Sequence, residues 1–336
     1  MTEVALNFKN HGNELYAQKS YKDAIEAYTS GVKAGPSDQA LRISLLNNRA
    51  QSHLFLKNYG AALRDAGVII ALCIQDQKPP PVKALYRAAQ ALVALERWKE
   101  AKDVVKRGRE MPGEENKPEW KKLEDDAEKG QRRVVERFER ERRAKLGKSA
   151  LRKAVESRGL VVVDTSSPPD NPHPLHFDPE VAPLDPPLYQ PEGSTWIPTP
   201  IHCPLIFPVF LLYPEYAQSD LITHFDENNS VGDHMKVMFP ASPDVGGWAG
   251  WDEKKEYWNG NLVVYVETAQ QRLLKVGKEL TLREVLAKAV KEEEGKKDGI
   301  ILRDGLLSFV VLVKGAKEKA WIEEFKRKRD EDKEKK

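Results

Sequence analysis

The chain has 336 residues, enough for two domains with separate hydrophobic cores. Its 54 lysines and arginines nearly balance its 52 aspartates and glutamates, so the net charge of +2 indicates no particular class of partner. Two cysteines, Cys73 and Cys203, are typical of a reducing compartment rather than of a disulfide-stabilised secreted domain. The first residues already follow a charged amphipathic pattern, and no apolar run is long enough to cross a bilayer. We therefore expect a soluble protein of the cytoplasm or nucleus, without a signal peptide or a membrane partner.

Residues 1–115 contain an internal repeat of 38 to 39 residues. Each unit opens with a small residue and has an alanine twelve positions later. The opening residues are Gly12, Ala50 and Ala89, and the alanines are Ala24, Ala62 and Ala101. Small residues at crossing points let paired helices approach closely. The pattern resembles three tetratricopeptide repeats, which form a solenoid of helical hairpins with a concave inner face. An unrelated helical bundle is the alternative.

Five polar residues fall on the face that the first helix of each unit turns toward the concave surface. They are Lys9 and Asn13 in the first unit, Asn48 in the second, and Lys83 and Arg87 in the third. Residues four apart share one side of a helix. Ammonium, guanidinium and amide donors together suit two neighbouring carboxylates, as at the end of a peptide whose last residue is aspartate. We predict one cavity that binds such a peptide tail.

These five positions resemble the two-carboxylate clamp of co-chaperones that bind the C-terminal tails of the cytosolic heat shock proteins 90 and 70. Those tails end in Met-Glu-Glu-Val-Asp or Ile-Glu-Glu-Val-Asp. The resemblance implies that the tail of heat shock protein 90, and that of heat shock protein 70, are the ligands of this groove. An adaptor for another acidic C-terminal peptide is the alternative interpretation.

Residues 116–160 are predicted to form one long charged helix that caps the last repeat and connects it to the following domain. Apolar residues recur at near-heptad spacing, so one side is expected to pack. They are Trp120, Leu123, Ala127, Val134 and Phe138. The middle of the helix, residues 131–153, is strongly basic, which leaves an RNA or ribosome binder as an alternative function. A solvated connecting helix is the simpler interpretation, and we do not expect a nucleic-acid partner.

Residues 161–200 carry eleven prolines, which exclude a helix or a central strand. They also carry apolar side chains such as Phe177 and Trp196. We therefore expect an extended strap that lies over the second domain.

Residues 201–336 predict a small α+β domain with one mixed sheet and a charged tail. Strands are predicted at 205–213, 261–267 and 306–313, and helices at 214–225, 281–290 and from 317 to the end. Pro208, inside the first strand, is compatible with an edge position. The predicted fold class is therefore an α+β two-domain protein: an all-α repeat solenoid with a long capping helix, followed by this domain.

Four segments of this second domain resemble the C-terminal domain, often called the wheel domain, of one co-chaperone family. The family comprises fungal cyclophilin seven suppressor one and animal tetratricopeptide repeat protein four. The segments are Pro208 to Asp220, Asp233-His234 with Val237 to Phe239, Trp251-Asp252, and Tyr257 with Asn261 to Glu267. The resemblance implies a co-chaperone adaptor whose C-terminal domain engages client proteins. It suggests clients in protein synthesis, including a translation elongation factor.

No pattern in the chain indicates an enzyme. His224-Phe225-Asp226 has the His-x-Asp spacing of an iron site, but no further histidine follows His234 to complete it. The glycine-rich stretch from Gly246 to Trp251 lacks the Lys-Ser or Lys-Thr of a phosphate loop. We therefore expect no catalytic residues, no metal and no cofactor.

Overall fold

The computed structural model describes residues 1–190, 192–193, 195–293 and 295–334, and it divides into two compact units. The first unit comprises Met1–Arg140 and a short segment that begins at Leu188. The second comprises Glu141–Pro187 and the chain from Thr195 onward. Within the described ranges, no helix has an apolar stretch of the length needed to span a bilayer.

Helical hairpins build the first unit. Their helices are α1 (Thr2–Ala17), α2 (Tyr21–Lys33), α3 (Gln39–Phe55), α4 (Tyr59–Gln75), α5 (Val82–Ala94) and α6 (Trp98–Arg109). Each helix contacts the next one along the chain, and α3 also contacts both α1 and α5. The first helices of the three hairpins therefore lie side by side, as in a tetratricopeptide solenoid. The predicted all-α repeat region is confirmed.

The small residues of the repeat lie where helices cross. A Cβ atom added to Gly12 would lie 2.5 Å from Cε1 of Tyr28, which is fully buried in the partner helix α2. Ala50 and Ala89, at the equivalent positions of α3 and α5, are also fully buried. The period of small residues therefore reports close helix packing, which is why the sequence alone predicts the fold of this unit.

The long helix α7 (Pro118–Ser157) begins at a proline, a residue favoured in the first helical turn because its missing N–H needs no partner there. Trp120 is 1% exposed and packs against Gly108 of α6, so the start of α7 caps the last repeat. Val134 and Phe138 are 39% and 68% exposed. The expectation that the whole apolar stripe packs is therefore wrong beyond Ala127.

The proline-rich segment contributes β1 (Val161–Val163) and β2 (His176–Phe177), and otherwise lacks helix in its described part. Phe177 packs against the core of the second unit. Tyr189 instead belongs to the first unit, where its ring lies 5.4 Å from the guanidinium of Arg132. Pro191, one of the predicted strap residues, lies outside the described residues. Parts of the segment thus belong to each of the two units, whereas the prediction assigned all of it to the second.

A six-stranded mixed sheet forms the centre of the second unit. Its further strands are β3 (Leu205–Tyr213), β4 (Gln218–Asp226), β5 (Leu262–Glu267), β6 (Leu273–Val276) and β10 (Leu307–Val313). β4 pairs with one edge of β3, and β2 and β10 pair with different parts of the opposite edge; β5 follows β10, and β6 follows β5. β3 and β10 are parallel and the remaining pairs are antiparallel. The predicted α+β domain with one mixed sheet is confirmed.

Shorter elements complete the second unit. They are the hairpin of β7 (Lys291–Glu293) and β8 (Lys296–Asp298), β9 (Ile301–Arg303), and the helices α8 (Val231–Met238), α9 (Leu282–Ala289) and α10 (Ala316–Glu334). Thr281 and Glu284 form the predicted capping box at the start of α9. Alternate residues of β3, including Phe207 and Leu211, face the main core, and α10 packs on the opposite face of the sheet through Trp321.

The prediction of a helix over residues 214–225 is wrong, because this region forms a turn and then β4. Ala217 adopts a φ of +49° in the four-residue turn that joins β3 to β4. Pairing of Gln218 to Asp226 with the long strand β3 therefore overrides the helical propensity of the segment. Pro208 is not at an edge either, since β3 has neighbours on both sides. It lies opposite a bulge of β4, where two residues of β4 face this single residue of β3, so its missing N–H breaks no ladder bond.

Candidate functional site

The first helices of the three hairpins line a small cavity on one side of the repeat unit. Its volume is 240 Å³. The lining residues are Asn13 and Tyr16 from α1, Tyr28 from α2, Asn48 and Gln51 from α3, and Arg87 from α5. All six are neutral or cationic, so the cavity offers hydrogen-bond donors and positive charge to a ligand.

Asn13 is the centre of a hydrogen-bond network in this cavity. Its Oδ1 accepts one hydrogen bond from the Tyr28 hydroxyl and another from Nδ2 of Asn48, both 2.9 Å long. These two donors fix the orientation of the Asn13 amide. Its Nδ2 group makes no hydrogen bond to another described residue. Two N–H donors are therefore available to a bound carboxylate.

Arg87 is held in position by α3. Its Nε donates to Oε1 of Gln51 over 2.8 Å, and its Nη1 donates to the backbone oxygen of Asn47 over 2.7 Å and to the Asn47 side chain. The other terminal nitrogen, Nη2, has no acceptor among the described residues. Arg87 thus presents a pre-positioned cationic donor, which costs less ordering entropy on binding than a free side chain.

Arg87 places a partly buried positive charge in this cavity, and burial disfavours its charged form. Burial lowers the pKa of the Arg87 guanidinium from its ordinary value, while the Tyr16 and Tyr28 hydroxyls act in the opposite direction. Burial also raises the pKa of Tyr28 to about 12, although its contact with Asn48 opposes this shift. At neutral pH Tyr28 therefore keeps the proton that it donates to Asn13.

Arg49 of α3 shows how a structural arginine differs from Arg87. Its guanidinium binds both carboxylate oxygens of Asp65, over 2.8 and 2.6 Å, and also contacts Thr29. No carboxylate of the described residues forms an ion pair with Lys9, Lys83 or Arg87. The charge of Arg49 is neutralised within the repeat unit, whereas the charges at the three predicted positions are not.

Lys83 is exposed and lines a second hollow of 410 Å³, which shares Gln51 and Arg87 with the first. Its floor includes Tyr86 and the buried ring of Trp120. Glu114 also borders this hollow, but Lys117 and the Trp120 Nε1 bind its carboxylate and lower its pKa. Lys83 can therefore meet a ligand that extends from the first cavity.

Lys9 is half-buried and lines a third hollow, of 540 Å³, with Leu41 and Ser44 of α3. The structure thus spreads the five predicted residues over three hollows. Asn13, Asn48 and Arg87 share one, Lys83 lies in the hollow that adjoins it, and Lys9 lies on its own. This differs from the single cavity that the sequence predicts.

Four residues of the site were missed by sequence reasoning. They are Tyr16, Tyr28, Asn47 and Gln51. Gln51 carried a usable signal, because it lies three residues after Asn48 and so on the same side of α3. Tyr28 carried none, since it belongs to the second helix of its hairpin and reaches the cavity only through the packing of α2 on α1.

The His224-Phe225-Asp226 motif lies on strand β4, where the ring of Phe225 is buried. The His224 ring contacts the rings of His173 and His176. Among the described residues, no group of three histidine, cysteine or acidic side chains has a geometry that could hold a metal ion.

A family model described as the Cns1/TTC4 Wheel domain matches residues 197–325. The Hsp70/Hsp90 co-chaperone cns1 of Schizosaccharomyces pombe is 31% identical over 291 residues, covering 84% of this chain and 72% of that protein. Human tetratricopeptide repeat protein 4 is 30% identical over 292 residues, covering 84% of this chain and 71% of that protein. The solved structure of Hsp90 co-chaperone Cns1 from Saccharomyces cerevisiae (delta69) superposes with a TM-score of 0.66. At 24% identity it covers 96% of this chain and 94% of that one, which shows a shared fold.

Proposed function

Because the chain belongs to the Cns1/TTC4 family, we propose that its repeats bind the acidic C-terminal tail of heat shock protein 90, and also that of heat shock protein 70. The relative above that is named Hsp70/Hsp90 co-chaperone supports this function. In this proposal the terminal aspartate supplies two adjacent carboxylates, which occupy the cavity of Asn13, Asn48 and Arg87. The upstream acidic residues of the tail extend toward Lys83.

The observation that carries the proposal is the set of unused donors in one cavity. Nδ2 of Asn13 and Nη2 of Arg87 are held by neighbouring side chains and lack acceptors among the described residues. Each charge-assisted hydrogen bond contributes roughly 1.5–3 kcal/mol. A few such bonds, less the cost of ordering a flexible tail, give a dissociation constant on the order of micromolar.

The protein acts as an adaptor and not as an enzyme. Its repeats hold the chaperone, and the second unit engages a client protein, for which a translation elongation factor is the candidate that the family resemblance supplies. We propose the cytoplasm as the compartment of this activity, since the tails are those of cytosolic chaperones, with the nucleus as a second proposed compartment.

Calorimetric titration of synthetic tail peptides tests the proposal. Both chaperone tails should bind, and replacing the terminal carboxylate by an amide should weaken binding at least tenfold, since a charge in the cavity is lost. A control peptide that ends in alanine but has the same net charge shows how much of the affinity comes from net charge alone. Equal affinity for all of these peptides would refute the clamp and would favour an unspecific acidic-peptide adaptor.

A further inference from the structure

The edge strand β4 presents an unpaired backbone. It pairs with β3 through Gln218 to Asp226, and no other described strand pairs with it. Four consecutive residues, Gln218 to Leu221, are exposed on both faces of the strand. Alternate N–H and C=O groups along the outer side of this strand are therefore available to another chain.

Edge strands are usually protected by lysines, prolines, short length or a bulge. β4 has nine residues and contains no lysine, arginine or proline. The bulge opposite Pro208 bends only its second half, where the His224 ring contacts the strap at His173. Gln218 to Ile222 form the part of the edge that pairs regularly with β3, and nothing in their sequence blocks the addition of a strand.

An apolar surface accompanies this edge. Leu221 is 39% exposed and lies opposite Phe210 in the register of β3, with Leu212 two residues further along. Both residues of β3 are half-buried and alternate with the residues that face the main core. Apolar side chains of an added strand would continue this surface.

The charge of the edge selects its occupant. Asp220 is exposed, and its Oδ2 accepts a hydrogen bond of 2.8 Å from the Tyr213 hydroxyl. Antiparallel pairing of Gln218 to Ile222 with the same segment of a second copy would place two Asp220 carboxylates opposite each other. Like charges at directly opposed positions destabilise a strand pair. A segment with lysine or arginine at this position has the complementary charge.

We infer that Gln218 to Ile222 bind an extended segment of a partner polypeptide as an added strand. The segment carries a lysine or arginine opposite Asp220 and an apolar residue beside Leu221. Main-chain hydrogen bonds supply affinity, and these two side-chain positions supply selectivity. The inference rests on the proposed client-binding role of the second unit and gives that role a surface.

Hydrogen exchange of the full chain tests the inference with a defined probe. The probe is a nine-residue peptide of alternating threonine and valine with one central lysine. We expect the outward-facing amides of residues 218–222 to exchange at least tenfold more slowly when the peptide is saturating. Two further peptides, N-methylated at alternate residues, distinguish a strand from other contacts, since only one set of its N–H groups can face β4. One should bind like the parent peptide and the other at least tenfold more weakly.

Asp220→Asn is the matched variant, because the asparagine oxygen still accepts the Tyr213 hydrogen bond. It should abolish the preference for the central lysine over a central glutamate and leave the melting temperature unchanged. Leu221→Lys adds a positive charge at an exposed position outside the core. It should weaken binding of the peptide with the central lysine at least tenfold. Unchanged exchange at residues 218–222, or equal binding of both N-methylated peptides, would overturn the inference.

Titration of the chaperone tail in the same samples separates the two proposals. If the chaperone tail still binds but the β4 amides are not protected, only the edge-site proposal is refuted. Loss of tail binding with protected β4 refutes the clamp and leaves the edge site standing.

Discussion

Asn13→Asp separates the structural role of Asn13 from its proposed role in binding. The aspartate carboxylate keeps an oxygen that accepts the hydrogen bonds of Tyr28 and Asn48, each 2.9 Å in the wild type. It replaces the unused Nδ2 donor by a negatively charged oxygen. The fold of the repeat unit should therefore persist while the cavity becomes repulsive to a carboxylate.

The expected loss of affinity follows from two terms. Losing a donor to a charged group costs about 1.5–3 kcal/mol. Repulsion between two carboxylates about 4 Å apart adds up to roughly 4 kcal/mol at an effective dielectric constant near 20. Taking the lower bound of the first term and half of the second gives about 3.5 kcal/mol, or a dissociation constant raised at least 100-fold.

Fluorescence anisotropy of a labelled chaperone-tail peptide measures this loss, and the melting temperature of the same sample reports the fold. Asn13→Ala is the companion variant, since it removes the donor without adding a charge and should bind at an intermediate affinity. A dissociation constant of Asn13→Asp within threefold of wild type, with an unchanged melting temperature, would refute the placement of the ligand in this cavity.

Four further substitutions test stability. Gly12→Ala should lower the free energy of unfolding by about 1–3 kcal/mol in urea titrations, because its Cβ would lie 2.5 Å from the Tyr28 ring. Gly67→Ala should instead raise the free energy of unfolding by roughly 0.5–1 kcal/mol, because a Cβ added at this helical position meets nothing within 4 Å. Burial lowers the pKa of His234 in the folded state, so stability is complete above the unfolded value of 6.5 and falls as pH decreases below it. His234→Leu should flatten that fall in melting curves between pH 7 and pH 5, and an equally steep fall would contradict it. Glu227→Gln should destabilise the second unit by about 3–5 kcal/mol, because the fully buried carboxylate binds Arg158; wild-type stability in chemical denaturation would count against this.

The repeat unit could be predicted from sequence because its helices pack against neighbours that are close in the chain. Close helix crossings require small residues such as Gly12 at a fixed period, and the sequence shows this period. Helical registration then places Asn13, Asn48 and Arg87 on one face, and the structure brings these three to one cavity. The position of Lys9 in a separate hollow could not be predicted, since it depends on how α1 packs against α3.

Strand β4 shows where local reasoning fails. Leu221, Ile222 and Phe225 have a spacing that fits one side of a helix, and the segment lacks a proline after Pro214. Pairing with β3 makes the segment a strand instead. The sequence of the segment does not reveal this pairing, because the partner strand lies elsewhere in the chain. The hydrogen bonds that fix Arg87 are likewise tertiary, since its partners Gln51 and Asn47 lie 36 and 40 residues away in the chain.

The basic middle of α7 shows that a charge run need not be a binding surface. Arg132 forms an ion pair with Glu136 and contacts Tyr189. Arg152 forms an ion pair with Glu156. Both i,i+4 pairs stabilise the helix itself. These contacts are typical of a solvated connecting helix, and they give the RNA-binding alternative no specific support.

The most direct test of the central claim is a titration of the heat shock protein 90 tail peptide against Lys83→Glu, with Lys99→Glu as the control. Both lysines are exposed residues of the third hairpin, but Lys83 borders the hollow next to Arg87 and Lys99 lies on the outer helix α6. We expect Lys83→Glu to weaken binding at least 30-fold and Lys99→Glu to bind like wild type. Equal affinity of the two variants would contradict the proposed tail-binding site.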